Sequence, residues 1–596
     1  MNLEGILKKG ISEGLKSAFD LSVPQEDITL QPTRKEFEGT YTLVAFQFTK
    51  QTKKSPEETG KLIGEYLKAN VTEVSAFNVV KGFLNISISD PTWMKIFRED
   101  IMKESFGMIP ANGKKVLVEY SSPNTNKPLH LGHLRNNFLG YSVSEILRAN
   151  GYNVVKLNLV NDRGIHICKS MLVYQKYGHG ETPDSAAIKG DHLIGKYYVM
   201  FDKIYKEQVQ QLIDSGKDKE TAEKEAPILN EAQTMLLKWE EGDKEVTQLW
   251  KKMNGWVYEG FNATYKMIGV DFDKFYYESD TYLLGKTIVD EGLKKEVFFK
   301  KEDGSVWVDL TADGLDEKLL LRGDGTSVYI TQDLGTADLK YNDFKSETSI
   351  YVVGNEQDYH FKVLKLILKK LGRPYADGIY HLSYGMVDLP SGRMKSREGT
   401  VVDADELVQE MIDTAQRKTT ELGKVEGFNE DELKILYRVV ALGALKYFLL
   451  KVDPQKRMLF NPEESIDFQG NTGPYIQFNY ARISALVRKA KQINISSSPI
   501  DFVDYKDLHK SEKDLIIYLN EFTKKIEIAG KEYSPSIIAQ YVYDLSKAYS
   551  HFYTELSVFN ADNEATKSFR IALSDSVAKT IKRSMMLLGI EVPERM

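Results

Sequence analysis

The sequence predicts an α/β protein: a doubly wound parallel sheet carrying a helical insertion, preceded by a small α+β unit and followed by an all-α helical bundle. Three observations carry this. Between Val116 and about Asp405, short apolar runs such as Val154 to Val160 and Ile350 to Val353 alternate with helical patterns, as in a parallel sheet covered on both faces. The first hundred or so residues mix strand and helix periods. From Asp431 onward the strand signals fade, and Ile537, Tyr541, Leu545, Tyr549 and Phe552 follow one helical face.

In the N-terminal unit, Ile11, Leu15 and Phe19 share a helix face, while Tyr41 to Phe48 and Gly82 to Ile88 read as strands. Gly107 to Lys115, with Pro110, Asn112 and Gly113, reads as a linker. The expected segments are therefore 1–112, 113–430 and 431–596. Residues 165–297 are mostly helical by pattern and form the insertion, with Trp239, Trp250 and Trp256 read as packing and the charged run Ile204 to Glu225 as a solvated helix face.

At 596 residues the chain is too long for one ordinary core. Its 42% hydrophobic and 28% charged composition is that of a soluble globular protein, and no apolar run reaches membrane-spanning length. A cytoplasmic location without membrane attachment is the default expectation, since the N-terminus lacks the apolar core of a signal peptide. Cys168 is the single cysteine, which excludes an intrachain disulfide and a Cys-rich zinc site. A net charge of −7 argues against nucleic-acid binding by global attraction and leaves only a local basic face.

The most informative stretch runs from Glu119 to Gly140. Val116 to Tyr120 read as a buried strand, and Leu134, Phe138, Tyr141 and Leu147 recur at helical spacing until Asn150-Gly151. His130 and His133 thus sit at a helix N-terminus, where backbone N–H groups and the helix dipole favour anions, and Gly132 lets a nucleotide approach. A second candidate is the cationic, Gly-bounded run Gly392-Arg393-Met394-Lys395-Ser396-Arg397 after Gly385-Met386. Such a run either clamps phosphates or is an ordinary solvated loop. Tyr329 and Asp333, four apart, fall on one helix face, as a surface pair or as part of a pocket.

Ser121-Ser122-Pro123-Asn124, Lys127-Pro128 and His130-Leu131-Gly132-His133 resemble the first signature of class I aminoacyl-tRNA synthetases, specifically the arginyl-tRNA synthetase form. The resemblance extends over essentially the whole chain. It implies a Rossmann-like catalytic domain, an N-terminal domain that touches the tRNA elbow and a C-terminal anticodon-binding bundle. It also implies ATP-dependent activation of L-arginine and transfer to tRNA(Arg), with Mg2+ accompanying ATP and no protein metal site, by a monomer.

By the same resemblance, ATP is met by His130, Gly132, His133, Gly354, Met386, Arg393 and Lys395. The run Arg393 to Arg397 stands where the family has Lys-Met-Ser-Lys-Ser, but Ser396 takes the place of the second lysine, so Lys395 and Arg397 share the cationic role with Lys127. The arginine pocket is assigned to Glu119, Ser122, Asn124, His133, Tyr329, Asp333 and Gln357. Its acidic members suit a guanidinium, which pairs bidentately with a carboxylate. Gly470-Asn471-Thr472-Gly473-Pro474-Tyr475-Ile476-Gln477 resembles the start of the anticodon-binding bundle, and Tyr475, Gln477 and the terminal Met596 are the implied tRNA contacts. Alternatives are another class I synthetase, a small-molecule nucleotidylyltransferase, and a catalytically silent tRNA-binding paralogue.

Overall fold

The computed structural model describes residues 1–34, 36–388, 402–423 and 427–596. Packing divides the chain into two units, one of Met1–Gly107 with Arg482–Thr523 and Asp544–Thr580, the other of Met108–Ala481 with Lys524–Tyr543 and Ile581–Met596. This division by packing runs differently from the consecutive segments 1–112, 113–430 and 431–596.

The first unit holds a four-stranded antiparallel sheet of β1 (Leu30–Pro32), β2 (Tyr41–Val44), β3 (Val74–Val80) and β4 (Phe83–Ile88), in the order β1-β2-β4-β3. The helices Leu3–Phe19 and Pro56–Asn70 accompany it, with Ile11 and Leu15 buried as their spacing predicts. Gly64 permits close contact between helix and sheet, since a Cβ there would lie 2.3 Å from the Phe77 ring. The strand expected over Tyr41 to Phe48 ends at Val44. Beyond it Ala45 and Phe48 are both buried, which is turn spacing rather than strand alternation, and a 3-10 turn takes over. Within this unit Phe97, Phe502 and Phe569 form a triangle of rings 5.5–6.2 Å apart.

The second unit is built on a five-stranded sheet, all parallel, of β5 (Lys115–Glu119), β6 (Asn153–Val160), β7 (Lys274–Tyr277), β11 (Thr348–Gly354) and β12 (Ile379–Tyr384). Its order is β12-β11-β5-β6-β7. Strands run outward from β5 in both directions, so the switch point lies between the carboxyl ends of β5 and β11, where such sheets bind ligands. The register sets Val118 beside Ile350 and Lys156.

Residues 165–297 contribute the expected helices, Ile165–Tyr177, Gly190–Asp214, Pro227–Glu240 and Lys244–Ile268. They also contribute an unexpected strand, because β7 falls inside this range and completes the sheet. Four residues long and at the edge, with only Tyr276 buried, it has no continuous apolar run to betray it. A three-stranded antiparallel sheet of β8 (Phe298–Lys300), β9 (Val306–Val308) and β10 (Lys318–Leu321) was likewise not anticipated. The insertion tryptophans pack as read: Trp239 meets Trp250 at 5.4 Å and Trp256 meets Tyr174 at 5.7 Å between ring centroids.

From Glu430 the chain is mainly helical, including Glu430–Leu450, Gly473–Gln492 and Pro535–Glu555. On the last of these Tyr541, Leu545, Tyr549 and Phe552 are buried, with Ile538 rather than Ile537 opening the stripe. No helix among the described residues is long and apolar enough to cross a membrane.

Candidate active site

The site forms at the switch point. Immediately beyond β5, Ser121 and Ser122 both adopt positive φ, 72° and 44°, a conformation costly for residues other than glycine. Buried amides hold them there. Asn136 Oδ1 accepts from the Ser121 N–H at 2.6 Å, and Asn158 Oδ1 accepts from the Ser122 N–H at 3.1 Å. The Asn136 amide also donates to the Val352 carbonyl of β11 at 2.7 Å, so one side chain ties both central strands to the turn. Asn124 pairs with Asn161 in a short parallel bridge and is itself exposed.

The helix Leu131–Ala149 then begins on His130 as its N-cap. The Gly132 N–H donates to His130 Nδ1 at 3.1 Å, and the His130 N–H donates to His133 Nδ1 at 3.2 Å. Because each Nδ1 accepts, the network assigns the ring protons to Nε2. Burial and the nearby Lys127 ammonium push His130 down to about 4, and burial with His130 and Lys127 holds His133 well below its usual range. Both imidazoles are therefore neutral near pH 7, each with an Nε2–H donor for an anion beside the helix N-terminus. Burial also lowers Lys127.

Gly140 lets this helix lie against the end of β5, since a Cβ there would sit 2.3 Å from the Tyr120 ring. Arg135, which the sequence reading did not single out, is buried and donates to the carbonyls of Pro454 at 3.0 Å and Lys456 at 2.9 Å. It thereby holds the segment that backs Gly385 and Met386 against the signature helix. Gly354 closes β11, while Met386 follows β12 and is partly exposed. Arg393, Lys395 and Arg397 lie outside the described residues.

Across the sheet, Tyr329 and Asp333 share the first turns of the helix Tyr329–Phe344. Tyr329 is 79% exposed. Asp333 Oδ2 is held by Nε2 of His360 at 2.6 Å, and Gln357, in the turn just before His360, is exposed. A residue absent from the sequence reading joins them. Glu278, at the carboxyl end of β7, has its carboxyl pushed up to about 7, first by burial and then by the charges of Asp162 and Asp333, with Arg163 opposing. The missed strand hid it.

Two of the expected contact residues are already engaged within the protein. The buried carboxylate of Glu119 pairs with the buried ammonium of Lys340. Burial opposes that ammonium's charge, but Glu119 outweighs it and keeps Lys340 above its usual range. The Gln477 side chain is fully buried and donates to the carbonyls of Val439 at 3.0 Å and Glu591 at 2.8 Å. Tyr475 packs 5.8 Å from the Tyr543 ring, and Met596 is half-buried.

Family models match along the chain. Residues 100–461 match the tRNA synthetases class I (R) catalytic domain, 5–88 the arginyl tRNA synthetase N terminal domain, and 476–596 the DALR anticodon binding domain. The chain is 59% identical over 596 residues to an arginine–tRNA ligase of Amoebophilus asiaticus and 56% identical over 598 residues to one of Bacteroides thetaiotaomicron, with all of each chain covered. Among solved structures, the Thermus thermophilus arginyl-tRNA synthetase shares the fold with a TM-score of 0.79 at 24% identity, covering all of both chains. The Plasmodium falciparum enzyme gives 0.77 at 20% identity over 99% of this chain and 98% of that one. The signature at the switch point and the match of the whole chain agree: it belongs to the arginyl-tRNA synthetase family of class I aminoacyl-tRNA synthetases.

Proposed function

We propose that the chain activates L-arginine with ATP and transfers it to the 3′ end of tRNA(Arg). One observation carries this reading: two imidazoles held neutral stand with their Nε2 donors at the N-terminus of the helix that follows the central strand β5, and the sheet's other elements supply the mutually interacting Glu278 and Asp333 carboxylates. The first arrangement suits phosphates and the second a guanidinium.

In the first step an oxygen of the arginine carboxylate attacks the α-phosphorus, the bond to the bridging oxygen of the β-phosphate breaks, and pyrophosphate leaves. His130 and His133 donate to the phosphate oxygens as charge shifts, with Lys127, Lys395 and Arg397 as the cations and Gly132, Gly354, Met386 and Arg393 lining the nucleotide. Mg2+ would come as part of the ATP substrate and would supply positive charge against its phosphates. In the second step a hydroxyl of the terminal adenosine attacks the arginyl carbonyl and expels AMP, its proton passing to solvent. Positioning and electrostatics suffice, without a covalent enzyme nucleophile.

Ser122, Asn124 and Gln357 hold the amino acid's backbone end, and Tyr329 frames its side chain. His360 orients the Asp333 carboxylate toward the guanidinium. Lysine, with a compact ammonium, leaves part of this fork unpaired and is rejected without an editing site. The segment 1–112 contacts the tRNA elbow and 431–596 the anticodon, through Tyr475 and Met596 among others, and the chain works as a cytoplasmic monomer. Charging of matched tRNA by purified protein with ATP tests the reading, and tRNA binding without any arginyl product contradicts it.

A further inference from the structure

A cluster of charged groups from the helical insertion lies just behind the first signature and takes no part in the chemistry above. The helix Gly190–Asp214 starts with Lys189 as N-cap, followed by Asp191 and His192. Donor atoms of Asp191, His192 and Asp405 all lie within 4.8 Å of one another. The Lys189 ammonium ion-pairs with Asp405, lies 3.4 Å from Asp191 Oδ2, and donates to Thr264 Oγ1 at 2.6 Å. His192 Nε2 is 3.2 Å from Asp405 Oδ2 and 3.5 Å from Asp403 Oδ2, while Thr264 Oγ1 donates to Asp405 Oδ1 at 2.8 Å. Asp191 is fully buried and lies against Gly260, where a Cβ would come within 2.3 Å of its Oδ1. Three carboxylates with a histidine have a composition that can hold a divalent cation. Here the Lys189 ammonium already stands among them and supplies that charge.

What the cluster grips matters more than its composition. Asp403 accepts from the Asp405 and Glu406 N–H groups at 2.8 and 3.1 Å and so caps the helix Ala404–Glu421. The segment around it pairs with the first signature as a short antiparallel bridge between His130 and Asp403. The Leu131 N–H donates to the Val402 carbonyl at 3.1 Å, and the Ala404 N–H donates to the Leu129 carbonyl at 2.9 Å. The backbone on both sides of His130 is thus fastened to a segment whose carboxylates the insertion holds.

We propose that Lys189 and His192 are positioning residues for His130: by clamping Asp403 and Asp405 they fix the strand segment that sets where the His130 imidazole meets the phosphates. Physical chemistry favours the clamp. Burial opposes ionisation of Asp405, yet His192 and Lys189 outweigh it and hold the carboxyl at about 2. In turn the hydrogen bond that His192 donates to Asp405, aided by the charges of Asp403 and Asp191, keeps His192 above its usual range despite burial. The facing groups are Lys189 and Asp191 from the insertion helix, Thr264 from the helix Lys244–Ile268, and Asp403 and Asp405. A small shift of a donor aimed at developing charge is costly, because such stabilisation depends on preset geometry.

The inference rests on the reading that His130 acts in arginine activation, so His130→Ala serves as the reference. The measurement is arginine-dependent ATP–pyrophosphate exchange with tRNA present, alongside arginine binding by calorimetry. Lys189→Met and His192→Ala are expected to lower kcat about tenfold with the arginine Kd within about twofold of wild type. His192→Gln, whose amide can donate to Asp405, should recover most of the loss. Adding Lys189→Met to His130→Ala should cost little more than His130→Ala alone, as for groups acting through one another. The proposal is overturned if kcat is unchanged in Lys189→Met and His192→Ala while His130→Ala falls, or if the two losses multiply. An unchanged rate in His130→Ala would instead overturn the reading beneath it. Where Lys189→Met does not fold, His192→Ala against His192→Gln decides: equal losses count against the clamp, and recovery by Gln supports it.

Discussion

The backbone N–H of His130 donates to Nδ1 of His133 at 3.2 Å, so the helix that carries both rings is capped by one of them. The Gly132 N–H does the same for Nδ1 of His130. Each imidazole is thus spent on structure at one nitrogen and available at the other. Because both are held below the usual histidine range, no charge on them is needed at neutral pH. Replacing either with Ala should lower the rate of tRNA-dependent pyrophosphate exchange by about 100-fold, the typical loss of one preorganised donor, with arginine affinity little changed. Exchange kinetics beside calorimetric arginine binding separate the two effects, and parallel losses in both would argue for a merely structural pair.

The arginine pocket should be sensitive to pH. Glu278 titrates at about 7 in the free protein, far above an ordinary carboxyl, chiefly because it is buried near other carboxylates. A guanidinium pairs with the ionised form and pulls this value down on binding. Below pH 7 binding must therefore expel a proton, so arginine affinity should rise about tenfold per pH unit below 7 and level off above it. Glu278→Gln should flatten the profile. Asp333→Asn should weaken arginine by about 1.5–3 kcal/mol, roughly ten- to hundredfold, with ATP binding little altered. Calorimetry in buffers of different ionisation enthalpy reads the proton directly, and no proton release below pH 7 would remove Glu278 from the pocket.

Lys127 lies close enough to His130 and His133 to depress both, and its own ammonium is lowered by burial. A cation in that place is suited to the departing pyrophosphate. Lys127→Ala should slow adenylate formation by about 10- to 100-fold while leaving tRNA affinity within about twofold. Single-turnover kinetics with filter binding checks this, and equal losses would point to a general role in folding.

Removing the Lys340 side of its buried pair with Glu119 strands an anion beneath the sheet. Lys340→Met should cost about 3–5 kcal/mol of stability, as broken buried pairs do. Replacing both partners with apolar residues should recover much of it. Denaturant unfolding of the single and double variants is the check, with a loss below about 1 kcal/mol in the single variant as the contrary result.

Long, periodic features were legible before the structure. The strand at Val116, the helix from Leu131 to Asn150 and the Pro535–Glu555 stripe announce themselves because burial recurs at a fixed period. The capped histidines were legible as a position, but their neutrality was not, since it depends on burial. β7 was missed because a short edge strand buries a single side chain, and Glu278 was missed with it. The internal partners of Glu119 and Gln477 were hidden for the same reason. Sequence identifies a carboxylate or an amide, but whether Lys340 or the Val439 carbonyl already satisfies it is decided by tertiary packing. The Lys189 and His192 cluster joins residues more than two hundred positions apart, which no local pattern reports.

A charging assay with purified protein, ATP, Mg2+ and tRNA(Arg), with arginine compared against lysine, glutamine and the other amino acids, reads the amino-acid specificity itself. Arginine alone should be attached, and the attachment should be lost in the Asp333→Asn, Glu278→Gln double variant. Charging of another amino acid at a comparable rate, or arginylation undiminished in that variant, would contradict this.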